Sequence, residues 1–256
     1  MNLAVSPGIE LPFRNPPSQR VDEWARHYQR VAKAPARNWR RTRRRGERAL
    51  HTSRQRAYRI AKRGLDFTFA AALLIFSSPL LLFIAVAIKL TDRGSVLFWQ
   101  KRVGMWGQVF DFPKFRSMVV GADGMVESLI DHNHHGDSIT FKIKRDPRVT
   151  WIGRFIRRFS LDEFPQLWCV LCGEMSLVGP RPALPREVEN YTQAHRRRLG
   201  VRPGLTCIWQ VSGRADVPFE RQVEMDVEYV DSHNFWLDLK LVASTVPAVI
   251  TGRGAY

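Results

Sequence analysis

Residues 67–88 read FTFAAALLIFSSPLLLFIAVAI, 22 consecutive positions without a charge. As one helix they reach ~33 Å, enough to cross the hydrocarbon core of a bilayer. A soluble core helix is rarely so long and so uniformly apolar, so the segment is read as membrane-embedded. Its middle, Ser77-Ser78-Pro79, is the informative part. Pro79 lacks the N–H that would reach the carbonyl of Ile75, a loss of about 3 kcal/mol in a helix interior. Serine hydroxyls beside it can satisfy carbonyls freed at a kink. Both flanks are basic: Arg54, Arg56, Arg59, Lys62 and Arg63 come before, and Lys89, Arg93, Lys101 and Arg102 after. Basic residues beside a membrane segment favour the cytoplasmic side. Two basic ends suit a helix that enters, breaks at Ser78-Pro79 and returns to the same face. A kinked spanning helix is the competing reading of the same residues.

Towards the N-terminus the composition changes. The chain has 256 residues and a net charge of +16, and residues 1–63 hold 17 basic against 4 acidic side chains. Residues 1–60 are Arg-rich and Pro-dotted with few large apolar side chains, which predicts a flexible basic arm, helical over Val21–Ala34 and again over Arg54–Arg63. Such an arm suits anionic lipid headgroups or nucleic acid. Nothing in residues 1–60 reads as a further spanning helix. The overall 45% hydrophobic and 25% charged composition excludes a wholly disordered chain and a polytopic membrane protein. With three cysteines (Cys169, Cys172, Cys207) a disulfide framework is excluded, and a reduced, cytosol-facing setting follows. Cys169 and Cys172 form half a zinc site at most and read as buried small hydrophobes.

Beyond a membrane segment at 61–90, residues 91–256 read as a cytosolic domain. Ser95–Trp99 and Gln108–Phe112 are strand-like runs around Gly104 and Gly107, a hairpin. Helical patterns follow at Gly121–Asp131, Ile152–Phe159, Asp162–Leu171, Pro185–Leu199, Phe219–Ser232 and Phe235–Ile250. The fold class is therefore α+β, mostly helical. The last helix, with only Asp238 and Lys240 charged, either lies in the interface with Trp236 at headgroup level or packs on the domain core.

The densest chemical signal is Ser160-Leu161-Asp162-Glu163-Phe164-Pro165. One reading is a capping box from Ser160 to Glu163 with acids at the positive end of a helix. The other uses the same helix start to bind phosphate, with one carboxylate attacking phosphorus while its neighbour holds a divalent cation. Lys114, Arg116, Arg157, Arg181, Arg202 and Arg214 are cations suited to diphosphates, several beside Gly or Pro, where a rigid turn can aim a guanidinium. No Walker loop and no G-x-G-x-x-G occurs. His132, His134 and His135, with Asp131 and Asp137, read as a solvated loop rather than a metal site.

A series of strings then resembles one family. These are Lys62-Arg63-Gly64-Leu65-Asp66 before the Ser-Pro-broken segment, Gln100 to Gly104, Lys114 to Met118, Asp146 to Thr150, Ser160 to Leu167, Gly173 to Pro182, Arg202 to Thr206, Trp209 to Arg214, and Asp238 to Lys240. Together they resemble, from about residue 60 onwards, the bacterial sugar transferases, the monotopic phosphoglycosyl transferases that start polyprenyl-linked glycan assembly. The resemblance implies transfer of a phospho-sugar from a UDP-sugar to polyprenyl (undecaprenyl) phosphate, with UMP released and Mg2+ as cofactor, at the cytosolic face of the bacterial inner membrane among its lipids. It implies Asp162 as nucleophile, forming a covalent aspartyl phospho-sugar, and Glu163, beside Asp162, as metal ligand. Lys114, Arg157, Arg181 and Arg214 would hold phosphates. Asp226 and Asp238 match acidic positions of less defined role. The family's apolar segment is re-entrant, which selects between the two topologies above, and amphipathic interfacial helices accompany it. Cys207 and Ile208 replace the family's usual glycine after Arg202 to Thr206. The ending TGRGAY looks like exopolysaccharide-initiating members using UDP-hexoses. No nucleic-acid partner is expected, and a homo-oligomer is left open. The alternative is a membrane-tethered binder of nucleic acid or anionic polymer working through the Arg-rich arm.

Overall fold

The computed structural model describes residues 53–125, 146–213 and 217–251. The arm up to residue 52, on which the binding-protein alternative rests, lies outside the described residues.

Helix α1, Ser53–Asp92, carries the apolar segment and contains Pro79. Helical structure runs across Pro79, where two helices separated by a break were expected. The local chemistry explains it. The Ser78 hydroxyl donates to the Ile75 carbonyl at 2.7 Å, the acceptor that Pro79 cannot serve, and Ser77 donates to Leu73 O at 2.5 Å. Both halves of α1 pack on the same globular body. Leu65, Ala70 and Leu74 join a core with Phe112, Val170, Met175, Val178 and Leu241. Leu81, Ile84 and Ile88 join a second with Phe115, Ile152 and Ile156. On the same helix Phe76, between the two stretches, and Phe83, on the face opposite the second core, are left 83% and 67% exposed. Among the described residues, α1 is the one helix long and apolar enough to cross a membrane.

Polar clamps secure each end of α1. The Arg63 guanidinium donates to the carbonyls of Val170 and Leu171, both at 2.6 Å. Asp66, buried, accepts from Ser176 Oγ at 3.0 Å and Leu177 N at 2.9 Å. Lys62 donates to Asp238 at 2.8 Å and Val178 O at 3.0 Å, and Tyr58 and Tyr229 donate to the same carboxylate. At the far end Asp92 pairs with Arg116.

Strands β1 (Leu97–Val103) and β2 (Val109–Phe115) form the expected antiparallel hairpin, with Leu97 opposite Phe115 and Val103 opposite Val109. Each strand extends past its expected end because alternation continues through charged residues: Lys101 faces out to Asp111 at 2.7 Å while Arg102 turns in. Helix α2, Trp151–Arg158, is capped by the Thr150 hydroxyl. The single helix expected over Asp162–Leu171 is instead a 3₁₀ helix, Leu161–Gln166, leading into α3, Leu167–Cys172. No capping box forms. Ser160 adopts the left-handed conformation (φ 53°) and its side chain caps nothing, and Pro165 has no N–H with which to propagate an α-helical first turn.

Strand β3, Ser176–Val178, pairs in parallel with β4, Gly204–Thr206. Neither was anticipated, since three residues carry no period. The backbones touch where they cross: a Cβ on Gly204 would stand 2.0 Å from Gly179 N, and one on Gly179 would stand 2.4 Å from Arg202 O. The helix expected over Pro185–Leu199 ends early as α4, Pro185–Glu189, and resumes as a 3₁₀ helix, His195–Gly200. Tyr191 in the gap turns inward to pack near Phe219. Helices α5 (Ile208–Ser212), α6 (Phe219–Ser232) and α7 (Phe235–Thr251) complete the α+β, mostly helical fold. In α7, Asp238 and Leu241 are buried while Trp236 and Ile250 are exposed, so one face packs on the core and the other stays open. Cys169 is buried as expected, but Cys172, expected to be buried with it, is exposed at the last turn of α3; Cys207 is buried as well.

Candidate active site

Four elements converge on one cleft of ≈ 790 Å³. Lys114 comes from β2, Arg157 from α2, Asp162 and Glu163 from the 3₁₀ helix, and Arg181 from the loop after β3. The left-handed Ser160 turns the chain sharply off α2 and places both carboxylates in that cleft. The paired glycines behind β3 fix the loop that carries Arg181, whose Nη1 and Nη2 both donate to Glu163 Oε1 at 3.2 Å. Arg157 is steadied by its Nε donating to Ser117 Oγ at 2.8 Å.

The charges act on one another strongly. Burial, then the neighbouring Glu163, pushes the Asp162 carboxyl up to about 7, against the pull of Arg157 and Lys114. Burial and the nearby Arg102 bring the Lys114 ammonium down to about 8, and burial lowers Arg157. Burial also works against Arg181, but Glu163, with Cys207 and Glu187, outweighs it and raises the guanidinium above its usual range. A crowd of half-desolvated cations around two carboxylates is poised for a polyanion, which would relieve the like-charge repulsion.

The other expected site residues lie elsewhere. Arg116 sits on Asp92, away from the cleft, and locks the end of α1 to β2. Asp226 is fully buried against Arg198, and Asp238 is consumed by the clamp at the start of α1. Arg202 is exposed beside Arg63 and Arg59 and does not line the cleft. Each of these charges answers another protein charge or faces away from the carboxylates, and none of them lines the cleft. Arg214 and the His132–His135 stretch lie outside the described residues. Conversely, Arg102 and Arg198 line the cleft and were not singled out. Arg102 is buried, donates to Pro182 O at 3.1 Å, and has a buried Nε without a hydrogen-bond partner, as does Arg198. Arg148, paired with Asp146, and the exposed Arg186 complete the basic lining.

Apolar side chains also line the cleft, among them Phe69 and Leu73 of α1, Val242, Val246 and Ile250 of α7, and Phe112, Phe159, Phe164 and Trp209 from other elements. A cleft with a basic, carboxylate-bearing interior and an apolar wall on a membrane-type helix suits an amphiphilic phosphate.

Comparison with known proteins agrees with this chemistry. The chain is 43% identical over 197 residues to the galactosyl transferase CpsE of Streptococcus agalactiae, covering 77% of this chain and 43% of CpsE. It is 42% identical over 200 residues to the exopolysaccharide production protein ExoY of Rhizobium meliloti, covering 77% of this chain and 88% of ExoY. It is 39% identical over 205 residues to the undecaprenyl-phosphate galactose phosphotransferase of Salmonella typhimurium, covering 79% of this chain and 43% of that protein. The chain thus spans under half the length of two of these relatives and most of the third. A family model described as bacterial sugar transferase matches residues 57–252, from the α1 clamp through the last turn of α7. The chain belongs to the bacterial sugar transferase family.

Proposed function

We propose that the protein transfers a phospho-sugar from a UDP-hexose to polyprenyl phosphate at the cytosolic face of the bacterial inner membrane. The observation that carries this is Asp162, in a cleft lined both by diphosphate-binding cations and by the apolar helix α1. The names of relatives, undecaprenyl-phosphate galactose phosphotransferase and undecaprenyl-phosphate glucose phosphotransferase, support the acceptor and the hexose donors. An Asp162 carboxylate oxygen attacks the sugar-bearing phosphorus, the bond to the bridging oxygen breaks, and UMP leaves with that electron pair. A phosphate oxygen of the lipid then attacks the same phosphorus and frees the carboxylate. Lys114, Arg157 and Arg181 hold the phosphate oxygens, and Arg181 also orients Glu163.

The donor set suits Mg2+. That ion uses one or two carboxylates together with substrate phosphate oxygens and water, and the cleft offers a pair, Glu163 and Asp162, with no third His, Cys, Asp or Glu grouped with them among the described residues. Glu163 would hold it, with Asp162 beside it, and the ion would neutralise phosphate charge. The re-entrant topology is supported by the packing of both halves of α1 on one globular body, since a polar domain gripping both ends keeps both on one side. The open faces of α7 and α1 would then meet lipid.

Purified protein mixed with undecaprenyl phosphate, Mg2+ and a panel of UDP-hexoses should release UMP. Asp162→Asn should reduce that release by on the order of 10³ or more with the circular dichroism spectrum unchanged. Mass spectrometry after donor alone should find the phospho-sugar on the Asp162 peptide. Wild-type turnover in Asp162→Asn would refute the nucleophile.

A further inference from the structure

The loop that carries Arg181 reads Gly179-Pro180-Arg181-Pro182-Ala183-Leu184. Its two prolines have no N–H to give, so the loop cannot satisfy its own carbonyls and must draw donors from elsewhere. Four carbonyls in succession do so. Pro180 O accepts from Gly204 N of β4 at 2.9 Å, and Ala183 O from Val103 N of β1 at 2.9 Å. Between them the donors are side chains. Arg181 O accepts from Arg198 Nη2 at 3.5 Å, and Pro182 O from Arg102 Nη1 at 3.1 Å.

Both of these guanidinium groups are buried and committed to protein acceptors. Arg102 also donates from Nη2 to Gln100 Oε1 at 2.9 Å and lies over the Phe112 ring, 5.2 Å from its centroid. Arg198 donates to the Tyr191 hydroxyl at 2.7 Å, lies over that ring at 5.6 Å, and pairs with the buried Asp226. Arg181 itself is half-buried and turned to Glu163. Among the described residues Arg102 forms no ion pair with a carboxylate, and burial, then the like charge of Arg181, pulls it down to about 10. An apolar side chain would fill the same space without that penalty, so packing alone does not account for a guanidinium there.

We propose that Arg102 and Arg198 are positioning residues: they hold the consecutive carbonyls of Pro182 and Arg181 and so aim the Arg181 guanidinium at Glu163 and at the donor's diphosphate before the donor arrives. The inference rests on the proposed function for what Arg181 meets. The Arg181 side chain leaves the backbone between the carbonyls of Pro180 and Arg181, both of them held, so a slackened loop moves the guanidinium directly. Asp226 and Tyr191 act one step further back, by holding Arg198.

The test is a double-mutant cycle on the full chain in lipid nanodiscs, read as UMP release with undecaprenyl phosphate, Mg2+ and a UDP-hexose. Arg102→Lys keeps the charge and loses the planar two-armed grip. It should lower kcat by on the order of 10²-fold, the loss expected of a misplacement of about 1 Å, with donor KM changed by less than about threefold. Added to Arg181→Met, it should cost less than about twofold more, because the group it aims is gone. An equal loss in both backgrounds would mean that Arg102 acts on substrate or on the whole fold and would overturn the proposal, as would wild-type kcat in Arg102→Lys. Should Arg102→Lys not fold, Arg198→Lys runs the same cycle with the same expectation. Hydrogen exchange gives a readout that needs no turnover. Either variant should speed exchange in the Gly179–Leu184 peptide and leave that of α7 unchanged; a loop as protected as in wild type would refute the grip. A loosened loop in a protein that releases no UMP from any donor would instead refute the transfer reaction and leave the hold on the loop standing.

Discussion

Asp162 and Lys114 have exchanged their ordinary titration ranges for a narrow window, the carboxyl rising to about 7 and the ammonium falling to about 8. Attack on phosphorus needs the carboxylate, and holding a phosphate needs the ammonium. The donor half-reaction should therefore rise as pH passes about 7 and decline beyond about 8, a narrow bell in kcat/KM. Lys114→Met should erase the falling limb, and loss of a cation near Asp162 should move the rising limb to higher pH. A flat profile between pH 6 and 9 would contradict both assignments. Asp162, Glu163, Arg157, Arg181 and Lys114 were legible in the sequence because they sit in strings whose order is itself distinctive. Arg102 and Arg198 were not. Each is embedded in a polar or basic run, Gln100-Lys101-Arg102 and His195-Arg196-Arg197-Arg198, of which a single guanidinium turns into the cleft. Arg116, Asp226 and Asp238 show the opposite difficulty: each pairs with a protein charge, and sequence does not reveal that partner.

The apolar helix α1 was legible from its length alone; its two anchors were not, because the partners of Lys62, Arg63 and Asp66 lie more than a hundred residues away. These anchors give Asp238 a structural task. Asp238→Ala should remove the shared partner of Tyr58, Lys62 and Tyr229 and destabilise the protein by about 3–5 kcal/mol, as for breaking a buried ion pair. The cost should appear in thermal melting, with the donor KM of the surviving fold close to wild type; a large rise in KM without loss of stability would return Asp238 to the substrate site. Cysteine labelling tests the path of α1 itself. Single cysteines at Gly64, where a Cβ meets nothing within 4 Å, and at exposed Ser95 should both react from the cytosolic side. Gly94 is unsuitable, because a Cβ there would collide with the Arg116 guanidinium at 1.8 Å. Reaction from opposite sides would mean a spanning helix. Local signals also misjudged the segment after Ser160, where a capping box was written in the residues and a left-handed turn was built instead. The demands of the site on chain direction outweighed the preference of the cap.

For the molecule as a whole, charge is divided by region: residues 1–63 hold a net +13 and residues 64–256 a net +3. An anionic leaflet attracts basic side chains close to it by about 1 kcal/mol each. Removing residues 1–50 should therefore weaken binding to vesicles containing anionic phospholipid and leave binding to neutral vesicles unchanged, while UMP release in detergent persists. Loss of that release would make the arm part of the enzyme. The sequence revealed the α+β class and the strongly periodic helices, and it missed the β3–β4 pair, whose three-residue strands are defined by a glycine contact rather than by a pattern. The clamp on Lys62 has a consequence for the order of events during synthesis. Its partner Asp238 follows 176 residues later, after Arg116, Val170 and Ser176, the partners of Asp92, Arg63 and Asp66, have already been made. The Lys62 clamp is therefore the last of the holds on α1 to close, and α7 is the piece that completes it.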